Sequence, residues 1–378
     1  MEFGWSKEQT DFRGEVRKFI NDNLPAQWWS RVPGEEPYSA ITLEFCRRLG
    51  AKGWLTPQWP VEYGGAGDES PWRAVILNEE LWSNGEPRGS QYMNSNWIGP
   101  AIIANGSEDQ KRRFLPPITK GEALWCQGFS EQGAGSDLAS MKTAAVRDGD
   151  HYVINGEKIW TSYAKGAGYC FLLARTNPDT VDGTGISIFL VPTNAPGFKI
   201  VPIDGVLDIH ITHLLTFENV RVPVADRLGP ENAGWSIIRE ALSDERVGTP
   251  RHIRAGLILE SIVADAQRKG RLTQAALREA AHARSVCRAA RIFVYKIRQS
   301  RVSGDAGPEA YVARCAIVNA ERAVAEVAAN LAGPEGLTSG SLADGEFRTT
   351  LIAGLGGGSY EMQLNLIARL WLRLPKAA

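Results

Sequence analysis

Apolar positions along this chain change their period twice. Near the start, Phe12, Val16, Phe19 and Ile20 recur at intervals of three and four, the spacing of a helix with one buried face. Ser6 followed by Gln9 reads as a capping box that starts it. Leu43, Cys46, Leu49 and Trp54 predict a second helix, and the breakers from Trp59-Pro60 to Gly67 predict a loop. The charged run Glu108 to Leu115 predicts a helical stretch that stops before Pro116-Pro117. The pattern then shortens. Phe171–Ala174, Ile186–Val191 and Phe198–Val201 are strand-length apolar runs parted by Gly, Pro, Asn and Asp. Asp148-Gly149 and Asn155-Gly156 read as two consecutive tight hairpin turns. From about residue 232 the helical period returns. Val312, Cys315, Val318, Val324, Val327 and Leu331 form the strongest stretch, with Pro308 near its start and Gly333-Pro334 at its stop. A last helix is expected near Ser359, carrying Met362, Leu366, Ile367 and Leu370. The fold class is therefore α+β: an N-terminal helical domain (1–120), a central small β-barrel or sandwich (121–228) and a C-terminal helical bundle (229–378).

Bulk properties narrow the function by exclusion. A chain of 378 residues can bury a large cofactor pocket, and its net charge of −1 favours neither nucleic acid nor a membrane surface as partner. Five cysteines without C-x-x-C spacing read as free thiols of a reducing cytoplasm, and five scattered histidines argue against a metal cluster. No apolar run is long enough for a membrane span, and the first residues lack a signal pattern, so a cytoplasmic location is expected.

The candidate chemistry sits in two stretches. Ser130-Glu131-Gln132-Gly133-Ala134-Gly135-Ser136-Asp137 gathers hydroxyls and glycines, so backbone N–H groups can approach a phosphate closely. Gly133 to Ala139 also fits a dinucleotide fingerprint. That reading needs a long helix next, whereas strand-like residues follow. A plain glycine-rich surface loop is the other alternative. Asn155-Gly156-Glu157-Lys158-Ile159-Trp160-Thr161-Ser162 places an indole and two hydroxyls on a strand, suited to an aromatic ring system with polar edges. Trp160 is open to a second reading, as an ordinary core aromatic.

Together these stretches resemble the flavin-binding β-domain of the acyl-CoA dehydrogenases. Phe217 to Pro223 leading to Gly229–Trp235, Asp244-Glu245-Arg246-Val247, and Gly357-Gly358-Ser359-Tyr360-Glu361 through Ile367-Ala368-Arg369 extend the likeness to about Leu374. The resemblance implies FAD as cofactor, with Phe129, Ser130, Ser136, Trp160, Thr161, Ser162, Ser359 and Glu361 as its contacts. It implies α,β-dehydrogenation of an acyl-CoA thioester to the trans-2-enoyl-CoA, with electrons passed to an electron-transfer flavoprotein. Ser136, Arg246 and Gly358 are the implied substrate contacts, and a backbone N–H of Gly356–Gly358 the implied donor to the thioester oxygen. A flexible linker or a helix cap is the plainer reading of those glycines.

Family members carry the catalytic glutamate at one of two chain positions. The closing-loop position aligns with Gly357, which has no side chain; the other aligns with Glu245, the expected base. Asp244 points about 100° away from Glu245 on a helix, and Glu361 is the rival. Homotetrameric members carry Arg-x-x-Phe-Gly and Phe-Gly-Gly-x-Gly segments that reach a neighbouring subunit's flavin. Here those regions read Gly270–Gln274 and Leu331–Leu337, and neither matches. Similar loss occurs in actinobacterial members that form α2β2 assemblies on steroid side chains. The expected state is a dimer or tetramer, homomeric or with a paralogue. The alternative function is a non-catalytic or half-site partner subunit. A flavin oxidase or monooxygenase on the same fold is a further option.

Overall fold

Both changes of period correspond to changes of structure. The computed structural model describes residues 4–25, 40–180, 182–207, 211–239, 250–302 and 307–375. Its α-helices are α1 (Lys7–Asn23), α2 (Ala40–Ala51), α3 (Pro71–Trp82), α4 (Gln91–Met93), α5 (Gly99–Asn105), α6 (Glu108–Thr119), α7 (Arg251–Arg268), α8 (Gln274–Val302), α9 (Glu309–Ala332), α10 (Leu342–Ile352) and α11 (Tyr360–Leu366). Its strands are β1 (Trp125–Gly128), β2 (Ala144–Asp148), β3 (His151–Ser162), β4 (Tyr169–Arg175), β5 (Ile186–Pro192), β6 (Phe198–Pro202), β7 (Thr212–Pro223) and β8 (Arg227–Leu228). These elements form two compact units: one gathers α1, α3 and α7–α11, the other α2, α4–α6 and the strands.

In the helical unit, α1 starts at the capping box of Ser6 and Gln9 and buries Phe12, Val16 and Ile20. It packs on α3, which buries two carboxylates, Glu79 and Glu80. Arg13 of α1 bridges both, donating to Glu79 at 2.9 Å and to Glu80 at 2.5 Å. Arg291 and Tyr295 of α8 also donate to Glu79, at 2.6–2.7 and 2.5 Å. Helix α9 packs against α7, α8, α10 and α11. Its buried alanines and valines, from Ala310 to Leu331, allow that close approach on several sides. Pro308 is its N-cap, and Gly333 ends it at φ 61°.

In the second unit the strands follow the order β6-β7-β3-β2-β4-β5-β8, with β1 added parallel to β4. Strands β4 and β5 are buried on both faces. Phe171, Leu173, Ile186, Ile188 and Leu190 pack with Ile102 of α5 and Phe114 and Ile118 of α6. Cys170, Leu172, Phe189 and Val191 pack with Tyr152, Ile154, Leu215 and Phe217 of β3 and β7. Burial on two faces is why these strands read as unbroken apolar runs rather than as alternation. All five cysteines are free and buried.

Two local expectations are corrected. Asp148-Gly149 does turn the chain between β2 and β3, but Asn155-Gly156 is not a hairpin turn and lies inside β3. Opposite it, β7 bulges at Asn219 (φ 53°), and the Asn155 side chain accepts the Asn219 N–H at 2.8 Å. Gly156 is glycine because a Cβ there would lie 2.7 Å from the Thr143 Cα. The second correction concerns α6, which runs through Pro116 and Pro117 to Thr119. Their missing N–H groups leave only the carbonyls of Arg112 and Arg113 without that helical donor, and the chain tolerates this near a helix end.

His252 of α7 is 2% exposed and feels the charges of Glu79 and Arg291. Burial lowers its pKa to about 4, against the pull of Glu79 and helped by Arg291. An unfolded histidine titrates near 6.5, so between about 6.5 and about 4 the unfolded chain binds a proton that the folded protein refuses. This part of the stability is complete above pH 6.5 and falls by about 3 kcal/mol as pH drops to about 4. Denaturant midpoints measured from pH 7 to 4.5 should drop for the native chain and drop less for His252→Leu. Equal slopes for the two proteins would contradict the assignment.

Candidate functional site

The glycine-rich loop leaves β1 at Phe129 and returns to β2. Its turn is closed by reciprocal backbone bonds between Glu131 and Ala134, at 3.0 and 3.1 Å. Ala134 is buried, whereas Gly133, Gly135, Ser136 and Asp137 are exposed. No long helix follows; a single 3-10 turn, Leu138–Ser140, leads into β2, which removes the dinucleotide-fold reading. A Cβ on Gly133 or Gly135 would meet nothing within 4 Å, and neither residue has a left-handed backbone. The chain's own packing therefore does not require glycine at either position.

The loop lies against β3. Ser130 O accepts the Ile159 N–H at 2.8 Å, which brings Ser130 beside Trp160. Between Lys158 and Thr161, β3 carries one residue more than β7, and this bulge holds Trp160 at φ 60°. Bulges re-aim side chains. Here the indole is 59% exposed on a strand whose neighbours Lys158 and Thr161 are buried. The core-aromatic reading of Trp160 is thereby removed. Ser162 and Phe129 are half-buried.

Two cations hold the loop. Lys158 is fully buried, and its Nζ donates to Phe129 O at 3.0 Å and to Glu131 Oε1 at 2.8 Å, with Met141 Sδ at 3.6 Å. The Glu131 carboxylate also accepts the N–H groups of Lys142 and Thr143, at 2.6 and 2.9 Å. Burial pushes the Glu131 carboxyl up, but Lys158 outweighs it and holds the group below the usual carboxylate range. Burial pulls the Lys158 ammonium down, with Glu131 resisting. At the far end of the loop, Arg175 of β4 donates to Ala139 O at 2.5 Å and Met141 O at 3.0 Å. These anchors were missed in the sequence reading. Their signal was a lysine on a core-facing strand position and a carboxylate at the head of the glycine loop.

In the helical unit, the closing segment turns through Gly354, Gly357 and Gly358, at φ 81°, 70° and 90°. Any side chain at 357 would therefore strain the backbone. Arg314 of α9, 5% exposed, donates to Gly356 O at 2.8 Å. Ser359 caps α11 by accepting the Met362 N–H at 3.2 Å, and Glu361 is exposed in its first turn. Asp244, Glu245 and Arg246 lie outside the described residues. Among the described residues, no group of three or more His, Cys, Asp or Glu could hold a metal ion, and no helix is long and apolar enough to cross a membrane.

Comparison with known proteins matches three successive family models. The acyl-CoA dehydrogenase N-terminal domain covers residues 6–122, the middle domain 126–220 and the C-terminal domain 232–372. The chain is 33% identical to acyl-CoA dehydrogenase FadE26 of Mycobacterium tuberculosis, with both chains covered in full. Among solved structures it is similar to the Tcur3481-Tcur3483 steroid ACAD (TM-score 0.88, 32% identity, both chains fully covered). It is also similar to the ChsE4-ChsE5 complex from Mycobacterium tuberculosis (TM-score 0.84, 32% identity, both chains fully covered). The family's members are flavoproteins. With the glycine loop, the exposed indole and all three family segments in order along it, this chain belongs to the acyl-CoA dehydrogenase family and is an enzyme of that kind.

Proposed function

We propose that this chain binds FAD and removes the Cα and Cβ hydrogens of an acyl-CoA thioester to give the trans-2-enoyl-CoA, with an electron-transfer flavoprotein as electron acceptor. The observation that carries the reading is Trp160: a 59% exposed indole on a strained backbone, beside a glycine loop with open space over Gly133 and Gly135. Exposed strain and an uncovered aromatic suit a ring system that stacks there. Open glycines suit a pyrophosphate whose oxygens approach the backbone closely. Trp160, Gly133 and Gly135 therefore suit the flavin, and the family likeness assigns Phe129, Ser130, Ser136, Thr161, Ser162, Ser359 and Glu361 to it as well.

Bound FAD supplies the acceptor for the Cβ hydride. The chain's own residues do the rest. Glu245 takes the Cα proton, and Arg246 and Ser136 contact the substrate. The Gly358 N–H donates to the thioester oxygen as negative charge grows there, which acidifies the Cα proton. Arg314, by holding Gly356 O, limits the freedom of that loop.

We also infer assembly through the C-terminal helices. Phe347, Leu351, Leu355, Leu370, Trp371 and Leu372 are each 43–62% exposed, large apolar side chains that a subunit contact would cover. The missing cross-subunit segments at Gly270–Gln274 and Leu331–Leu337 favour a paralogous partner, and the similar ChsE4-ChsE5 structure is itself a complex of two named chains. The same missing segments support the second reading, a half-site partner subunit. A bulky steroid-linked acyl-CoA is the first substrate to test, since a similar solved structure is a steroid ACAD.

Three outcomes are expected. The purified assembly should show the visible absorption of non-covalent FAD, and acyl-CoA should bleach it; a nicotinamide cofactor, or no flavin, would end this reading. Glu245→Gln should keep FAD and lose substrate-driven bleaching by about 10²–10⁴-fold in rate, while in Glu361→Gln, a change at an assigned flavin contact, whatever FAD is bound should still bleach. Normal bleaching in Glu245→Gln would remove Glu245 as base. Co-expression with a paralogue should raise flavin content and activity, measured with mass and flavin absorbance. A fully active homotetramer with four FAD would exclude the mixed assembly.

A further inference from the structure

The flavin reading needs two separate chain segments at a fixed spacing: the loop that follows β1 and the strand β3 that carries Trp160. The loop has little regular structure of its own. Beyond its 131–134 turn and one 3-10 turn, it depends on bonds to other elements. Lys158 stands on β3, two residues before Trp160, and its side chain runs inward rather than toward solvent. Its three N–H donors meet three acceptors on the two flanks of the loop: Phe129 O, Glu131 Oε1 and Met141 Sδ. Glu131, whose side chain is 10% exposed, ties in the start of β2 through the N–H groups of Lys142 and Thr143. One ion pair thus joins the exit of β1, the entry to β2 and the bulge of β3.

We infer that Lys158 and Glu131 are positioning residues that hold the glycine loop and the Trp160 bulge at the spacing the cofactor requires, before the cofactor binds. The inference rests on the flavin reading above. Filling the space needs no charge: an apolar side chain in place of the lysine would bury at lower desolvation cost, and replacing a buried ion pair by apolar groups is often neutral for stability. What an apolar residue does not replace is the link between segments. Phe129 O loses a donor, and the carboxylate that gathers two N–H groups and the ammonium loses its partner. The pair therefore acts on geometry more than on folding. Neither residue is assigned contact with the cofactor or with the reacting atoms.

The test compares the purified full-length protein with the double variant Lys158→Met/Glu131→Gln, which leaves no unpaired buried charge. Arg221→Gln, in the solvent-exposed Arg221–Asp148 pair on the same sheet, is the control. The double variant should keep its FAD-free thermal midpoint within a few degrees. It should bind FAD at least tenfold more weakly, and its bound flavin should lose the resolved shoulders of the visible band. Arg221→Gln should match the native protein throughout. Native FAD affinity and spectrum in the double variant would overturn the positioning role. A native protein that binds no FAD would overturn the flavin reading instead, and the role with it. A second measurement needs no variant. In FAD-free native protein, the amides of Lys142, Thr143 and Ile159 should resist hydrogen exchange as strongly as the amides of β4. If they exchange freely until FAD is added, the ligand orders the loop and the pair does not.

Discussion

An ammonium group with no exposure to water is the constraint around which the central unit is arranged. Burying such a charge costs several kcal/mol unless it is paired and hydrogen-bonded. Lys158 meets both conditions, through Glu131 and Phe129 O. Those conditions fix where the glycine loop can lie. They also agree with the register of β3, since a one-residue slip would turn Lys158 outward and take Ile159 or Glu157 into its place. The bulge that follows then turns Trp160 out of the sheet. Charge burial, strand register and the exposed indole are mutually consistent around one pairing.

The helical unit uses the same device for a different purpose. Glu79 accepts from Arg13, Arg291 and Tyr295, and so joins the first helix, the third and the long α8. Its carboxyl is pushed up by burial, but Arg291, Tyr295 and Arg13 outweigh that and hold it below the usual range. Apolar packing alone is tolerant of sliding between helices; a carboxylate with three directional donors is not. Helix α9 carries the apolar part of this unit, with small side chains on several faces. One charged residue on it, Arg314, reaches the closing glycine segment.

The two candidate segments share a physical logic. Each is a glycine-bearing stretch with little structure of its own, held by a buried cation bonded to a backbone carbonyl: Lys158 to Phe129 O and Arg314 to Gly356 O. Anchoring one carbonyl fixes the course of each segment without a long helix or strand inside it. Under the function proposed above, the ligands are a pyrophosphate and a developing oxyanion, for which backbone N–H groups are the useful donors. A glycine-rich segment without such anchors would lose more conformational freedom on binding its ligand.

Much of this architecture was legible in the residues themselves. The capping box at Ser6, the Pro308 start and Gly333 stop of α9, the cap at Ser359 and the strands β4, β5 and β6 follow from local chemistry and period, which a linear chain displays directly. So does the family, because its segments occur in order along the chain. Tertiary structure decided what local rules misread. Asn155-Gly156 has the composition of a turn, yet pairing with β7 on one side and the closeness of Thr143 on the other keep it within a strand. Pro116 and Pro117 have the composition of a stop, yet α6 continues past them because its buried face, Phe114, Leu115 and Ile118, is held against the sheet. The roles of Lys158, Glu131, Arg175 and Arg314 depended on partners up to 42 positions away in sequence, as for Arg314 and Gly356. Period and composition report what a residue prefers next to its neighbours. Which distant groups share a buried charge is settled only when the chain has folded around it.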